Sequence, residues 1–216
     1  MRNVGLPRLP IVALAALAFG VVLGLLPEQL QAGFEYQRDA PASGEAWRLW
    51  TAHFVHYSWR HAGMDLATLF ALAAGIEIRC GRRALLMVLL AAPPLLSVIL
   101  YFAVPDLACY RGASALCVEL GAMLWLVLWS EAGARRVALL LPAIAFVIKT
   151  VYEATGASAN LSGLAGDIHV AWQAHAAGAI LGILGFAIWR GVVRAGTGGA
   201  SIQENRDAVS TARLLA

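Results

Sequence analysis

Six tracts of the chain are apolar almost without a break, over residues 9–26, 61–78, 84–104, 112–130, 137–152 and 168–189. Short polar segments rich in arginine or glycine separate them. A helix needs about 20 apolar residues to cross the hydrocarbon of a bilayer, and each tract reaches or approaches that length. No 3.6-residue polar face runs through the tracts as a whole, as expected where helices meet lipid or other apolar helices on most sides. The pattern predicts an all-α membrane protein, a six-transmembrane-helix bundle over residues 1–194. Beyond it, Gly196, Gly198 and Gly199 lead into a polar run to Arg206. That composition predicts a flexible tail over 195–216.

Composition agrees. Of the 216 residues 60% are hydrophobic and 13% charged, with a mean hydropathy of +0.71; soluble domains carry about a quarter charged residues. The arginines are what fix a direction. Arg2 and Arg8 precede the first tract, Arg79, Arg82 and Arg83 follow the second, Arg135 and Arg136 follow the fourth, and Arg190 and Arg194 follow the sixth. In the intervening loops Arg38, Arg48 and Arg60 are offset by Glu28, Glu35, Asp39 and Glu45, and Arg111 by Asp106; the segment from Glu153 to Asp167 has no basic residue. The positive-inside rule then puts both termini, and the tail, in the cytoplasm. The net charge of +3 is accounted for by these flanks and calls for no nucleic-acid partner. The first tract, with its two arginines and Ala32, also has the form of a cleavable signal peptide. Removing it leaves an odd number of spans and breaks the alternation of basic loops.

The first loop, residues 27–60, holds Phe34, Tyr36, Trp47, Trp50, Phe54, Tyr57 and Trp59, aromatics that favour the headgroup level of a membrane. Pro93-Pro94 and Pro142 fall inside tracts and predict kinks. Cys80, Cys109 and Cys117 form no metal or redox motif and read as small packing groups, although a Cys109–Cys117 disulfide is possible.

Polar groups inside a bilayer are costly and are functional suspects by default. His61, Asp65 and Thr68 follow one another at i, i+4 and i+7 on one face of the second tract. Thr68 reads as a structural hydroxyl, whereas His61 with Asp65 points to function. Ser114 stands at the start of the fourth tract, where a serine commonly caps a helix and where unpaired backbone N–H groups can also stabilise an oxyanion. His175 lies about seven residues into the sixth tract, roughly 10 Å deep. Gly178 and Gly182 follow it as G-x-x-x-G, which permits close approach of membrane helices. That small face predicts contact between the sixth and fourth helices, with the imidazole brought to Ser114. Serine needs a base to become a nucleophile, and histidine is suited to be one. No carboxylate stands beside His175 in the sequence, so the expectation is a Ser114–His175 dyad, with Trp172 and Gln173 orienting the ring.

These residues resemble those of the rhomboid family of intramembrane serine proteases. Trp47-Arg48 in the first loop, His56, His61-x-x-x-Asp65, Gly112-x-Ser114 and Ala174-His175-x-x-Gly178 are similar in order and spacing to the family's motifs, between Trp47 and Trp189. The run Tyr110-Arg111-Gly112-Ala113-Ser114 and the short chain resemble the rhombosortase branch. The resemblance implies Ser114 as nucleophile and His175 as general base. It implies His61, Asp65 and the Ser114 amide, with Gly112 in support, at the oxyanion site. It further implies substrates anchored by a C-terminal transmembrane helix, cleaved near the outer face and bearing Gly-Gly sorting tails. A multi-pass protein of the bacterial inner membrane follows, with no cofactor and no metal.

Two departures bear on chemistry. Ala115 replaces a glycine. Asp65 replaces an asparagine, and an ionised carboxylate cannot donate to an oxyanion. A protonated Asp65 can donate; alternatively Asp65 acts indirectly by holding His61. The departures keep a second class open, a catalytically inactive relative that binds membrane clients. A third, a b-type haem protein using His53, His56, His61, His169 and His175, needs histidines facing each other across helices.

Overall fold

The computed structural model describes residues 9–155 and 172–214. Arg2, Arg8, His169 and most of the basic-free segment ending at Asp167 lie outside the described residues. Helix α1 (Ile11–Gly24) is followed by a folded connection: α2 (Glu28–Gln31), β1 (Tyr36–Gln37), a 3-10 turn (Pro41–Ser43) and α3 (Arg48–Thr51). Then come α4 (Trp59–Cys80), α5 (Arg82–Ala103), β2 (Cys109–Tyr110), α6 (Ser114–Glu131), a 3-10 segment (Gly133–Leu139) running into α7 (Leu140–Ala154), and α8 (Trp172–Leu214). Among the described residues, five stretches are long and apolar enough to cross a membrane: Trp59–Cys80, Arg82–Ala103, Ser114–Glu131, Gly133–Ala154 and Trp172–Ala195. The protein is a mostly helical integral membrane protein. The first tract forms the 14-residue α1, which at 1.5 Å per residue spans about 21 Å against about 30 Å of hydrocarbon. α8 runs from its apolar part straight into the polar segment, so the helix itself marks no boundary near 195.

Apolar spacing builds the core. Leu66, Leu69, Ala73 and Ile76 on α4, and Leu116, Leu120, Met123 and Val127 on α6, recur every three or four residues and are buried. Glycines let the helices close up. A Cβ at Gly178 would overlap the Ala115 carbonyl oxygen, and one at Gly182 would overlap the Glu119 carbonyl oxygen. The G-x-x-x-G face of α8 therefore lies directly on the backbone of α6. Gly81, at φ +90°, is the single residue between α4 and α5. Beside this turn Glu77 accepts the Ala13 N–H at 2.9 Å and pairs with Arg82 at 3.2 Å. That carboxylate satisfies an N–H that the start of α1 leaves without an acceptor, and it puts the start of α1 at the same end as Arg79, Arg82 and Arg83.

The first loop is more structured than a strip lying in the headgroups. β1 pairs antiparallel with β2, Tyr36 opposite Tyr110 and Gln37 opposite Cys109. Arg48 is buried; its Nη1 donates to the carbonyls of Ala32 (2.7 Å) and Glu35 (3.0 Å), and its Nε pairs with Glu45. Tyr36 and Phe54 belong to the core, while Trp47, Trp50 and Trp59 stay exposed. Trp50 also resolves the double proline. Pro94 has no N–H for the Leu90 carbonyl one turn back, and the Trp50 indole N–H donates to that oxygen at 2.8 Å. α5 continues as one helix through Pro93 and Pro94.

Candidate active site

The turn between β2 and α6 sets the site. Gly112 has φ +133°, and a Cβ there would lie 3.1 Å from His61 Cε1 and 3.3 Å from Asp65 Oδ2. Both the backbone conformation and the space call for glycine. The Gly112 N–H donates to the Ala52 carbonyl at 3.0 Å, and the Tyr110 hydroxyl donates to the Gly112 carbonyl at 3.0 Å. Burial pushes the Tyr110 phenol well above its ordinary range, keeping it a neutral donor. The Ala113 N–H donates to Asp65 Oδ2 at 2.9 Å. So held, Ser114 becomes the first residue of α6, and its own backbone N–H is one that a helix start leaves without an intrahelical acceptor.

α8, seated on α6 through Gly178 and Gly182, brings buried His175 to this point. His175 Nε2 lies 3.0 Å from Ser114 Oγ. On the other edge of the ring, His175 Nδ1 lies 2.7 Å from Glu153 Oε2. The absence of a carboxylate expected from the sequence is therefore corrected: α7 extends through Glu153 rather than ending before it, and the last turn of α7 turns that side chain inward. Lys149 Nζ pairs with Glu153 Oε1 and lies 3.5 Å from His175 Nδ1. A carboxylate can only accept, so the Glu153 contact assigns the proton to Nδ1 and leaves the Nε2 lone pair facing Ser114. The hydrogen bonds of His175 go to Ser114 and Glu153. A signal for Glu153 existed in the sequence: Lys149, the chain's only lysine, precedes it by one helical turn at the end of an apolar tract.

Asp65 is the hub of the second half of the site. Besides the Ala113 N–H, its Oδ2 lies 3.3 Å from His61 Nε2 and 3.4 Å from His56 Nε2. The His56 and His61 rings meet edge to face at 5.0 Å. One backbone N–H and two imidazole nitrogens thus surround one carboxylate oxygen, which accepts from Ala113. Ser58 caps α4 by accepting the His61 N–H at 3.2 Å, and Tyr57 stacks on the His61 ring. Thr68 stands apart, its hydroxyl donating to the Met64 carbonyl of its own helix at 2.8 Å. Arg111 pairs with Glu28 and Glu35, each at 2.7 Å, rather than with Asp106.

His53 Nε2–H donates to the Pro93 carbonyl at 3.0 Å, and burial pushes its pKa down to about 4. His56 and His61 flank Asp65, and His175 stands between Ser114 and Glu153. Among the described residues no group of three or more His, Cys, Asp or Glu is arranged to hold a metal ion. The three cysteines are free thiols. An open polar cavity of about 650 Å³ lies beside β1 and β2, lined in part by Glu35, Arg38, Asp39 and Asp106; neither Ser114 nor His175 lines it.

The chain matches the family described as Rhomboid domain over residues 43–191, a stretch that contains every residue of this site. No curated protein matches the chain.

Proposed function

The chain belongs to the rhomboid family, in general a family of intramembrane serine proteases, and on that premise we propose that it is an intramembrane serine endopeptidase. The observation that carries the reading is the 3.0 Å contact between Ser114 Oγ and His175 Nε2, with the imidazole buried and the hydroxyl half-buried. Ser114 Oγ attacks the scissile carbonyl while its proton passes to His175 Nε2. The C–N bond then breaks, Nε2–H protonates the departing amine, and an acyl ester remains on Ser114. Water attacks the ester, again losing its proton to His175, and the acid product leaves as Ser114 recovers its hydrogen.

The tetrahedral oxyanion needs donors. The Ser114 N–H at the helix start supplies one. His61 supplies the other: in its imidazolium form it donates from Nδ1 while Nε2–H stays on Asp65. His61 Nδ1 is buried and has no hydrogen-bond partner among the described residues, as expected of a donor awaiting an acceptor. Asp65 serves the oxyanion site through His61.

The substrates are membrane-anchored proteins with a C-terminal transmembrane helix, cleaved near the outer face, and Gly-Gly-type sorting tails fit best. Glycine has poor helix propensity, so such a segment unwinds easily for attack. The reading places the protein in the bacterial inner membrane with both termini cytoplasmic. In support, the start of α1 lies beside the arginine-rich α4–α5 turn, while Ser114 lies beyond the other end of α5. α1 completes six crossings despite its length, and the segment after 194 is a cytoplasmic tail.

The test is labelling of the membrane-embedded chain by a serine-reactive fluorophosphonate. Labelling of the native chain that is lost in Ser114→Ala and in His175→Ala supports the protease. A folded native chain that takes no label sinks it and favours an inactive, client-binding relative.

A further inference from the structure

Glu153 stands where an acidic side chain is expensive. It is the one buried residue of α7; a carboxylate facing protein from an otherwise exposed, apolar helix needs partners that compensate for lost hydration. Both of its oxygens have one. Lys149, half exposed, joins Oε1 and supplies the counter-charge, and Oε2 meets His175 Nδ1.

We propose that Glu153 is a positioning residue for His175, so that the site works as a Ser114–His175–Glu153 relay rather than as a serine–histidine dyad. The proposal rests on the protease reading above and adds to it a residue that neither the motif pattern nor the family match assigns. An imidazole with no acceptor at Nδ1 can carry its proton on Nε2, where it cannot take one from serine. Glu153 holds the proton on Nδ1 and the ring in the plane that points Nε2 at Ser114. When the Ser114 proton moves to Nε2, Nδ1–H stays in place, and Glu153 faces the imidazolium as an acceptor without becoming protonated. Nε2–H then goes to the leaving nitrogen.

Among the described residues, the other ionisable groups around His175 do not supply this. From α6 come Ser114 and buried Glu119, whose backbone lies against Gly178 and Gly182. Asp65 on α4 is occupied by Ala113, His56 and His61. From α5 the charges are Arg82 and Arg83, at its opposite end, and Tyr110 on β2 is bonded to Gly112. On α7, Lys149 is a donor and cannot hold a proton on Nδ1.

The experiment measures the rate of fluorophosphonate labelling against pH for the full chain in detergent micelles. It compares native protein, Glu153→Gln and Glu153→Asp, with Ser114→Ala as blank. A glutamine can turn its N–H toward Nδ1 and favour the unproductive tautomer. Glu153→Gln is expected to label about 100-fold more slowly or worse, with the inflection of the profile moved to lower pH, and Glu153→Asp to recover part of the rate. Native rate and an unmoved inflection in Glu153→Gln, with labelling still dependent on Ser114, overturn the proposal and leave the protease standing. Native chain labelled no faster than Ser114→Ala overturns both. Nitrogen NMR of ¹⁵N-histidine-labelled native chain, with His175 assigned by its loss in His175→Ala, covers a glutamine variant that fails to fold. A neutral His175 protonated at Nδ1 is expected; protonation at Nε2 overturns the proposal.

Discussion

Asp65 Oδ2 accepts the backbone N–H of Ala113 at 2.9 Å, one residue before Ser114. The contact ties the second turn of α4 to the start of α6 and fixes the peptide that precedes Ser114. The same oxygen holds His56 and His61, so a single carboxylate sets both the turn that presents Ser114 and the histidine opposite it. Asp65, which reads in the sequence as a threat to the oxyanion site, is here the acceptor of a backbone N–H.

That job predicts a split between two substitutions. Asp65→Ala strands the Ala113 N–H and two imidazoles; an unsatisfied buried partner costs about 1–3 kcal/mol, and labelling should fall by about 100-fold. Asp65→Asn keeps an oxygen for Ala113 and should label within about tenfold of native, since the contacts to that oxygen are weakened rather than lost. Thermal unfolding and labelling rates of both variants check this. Equal loss in the two would mean that charge, not acceptance, is what Asp65 provides.

Gly112→Ala should remove labelling from a protein that still assembles. The φ of +133° is one that alanine resists, and the methyl would press on His61 and Asp65. The strain is on the order of 1–3 kcal/mol, too little to undo a bundle of packed helices but placed two residues before Ser114. Gly44, also at positive φ but with nothing within 4 Å of its missing Cβ, is the control: Gly44→Ala should label normally. Labelling in membranes and size-exclusion profiles separate the two effects.

Most of the helical layout was legible because lipid imposes long apolar tracts on the sequence. Ser114 and His175 stood out because polar groups in such tracts are rare, and Gly178 and Gly182 already implied which helices touch. Three things do not follow from the apolar pattern. Glu153 sat at the edge of its tract, where a carboxylate is ordinary, and only the last turn of α7 turns it inward. The fold of the first loop depends on Arg48 reaching backbone carbonyls from Ala32 and Glu35, contacts that have no periodicity. Asp65 as acceptor rests on a backbone N–H, which every residue but proline carries and which therefore leaves no mark in a sequence.

The seat of α8 on α6 gives a third prediction. A methyl at Gly178 would overlap the Ala115 carbonyl oxygen, a backbone atom that cannot rotate away. Gly178→Ala should push α8 outward one turn from His175, lengthen the contact with Ser114 and slow labelling strongly. Gly191→Ala on the same helix meets nothing within 4 Å. It should be silent or slightly stabilising, since alanine is the better helix former by about 1 kcal/mol. Labelling of both variants beside native protein decides it; equal behaviour would detach the small-residue face from the site.

His53 makes stability depend on pH. Burial lowers its pKa from 6.5 to about 4 in the folded protein, while the unfolded chain keeps the ordinary value. Between these limits the unfolded state binds a proton that the folded state refuses, so stability falls as pH drops through that window and is complete above pH 6.5. The full difference corresponds to about 3 kcal/mol, at 1.36 kcal/mol per unit. Unfolding in detergent at pH 7.5, 5.5 and 4.5 should show a progressive loss in native protein, roughly 1 and then 3 kcal/mol. His53→Gln keeps a donor for the Pro93 carbonyl but cannot titrate in this range. It should flatten the part of the slope that His53 supplies. A slope unchanged in His53→Gln would assign the acid sensitivity to other groups and remove His53 as its source.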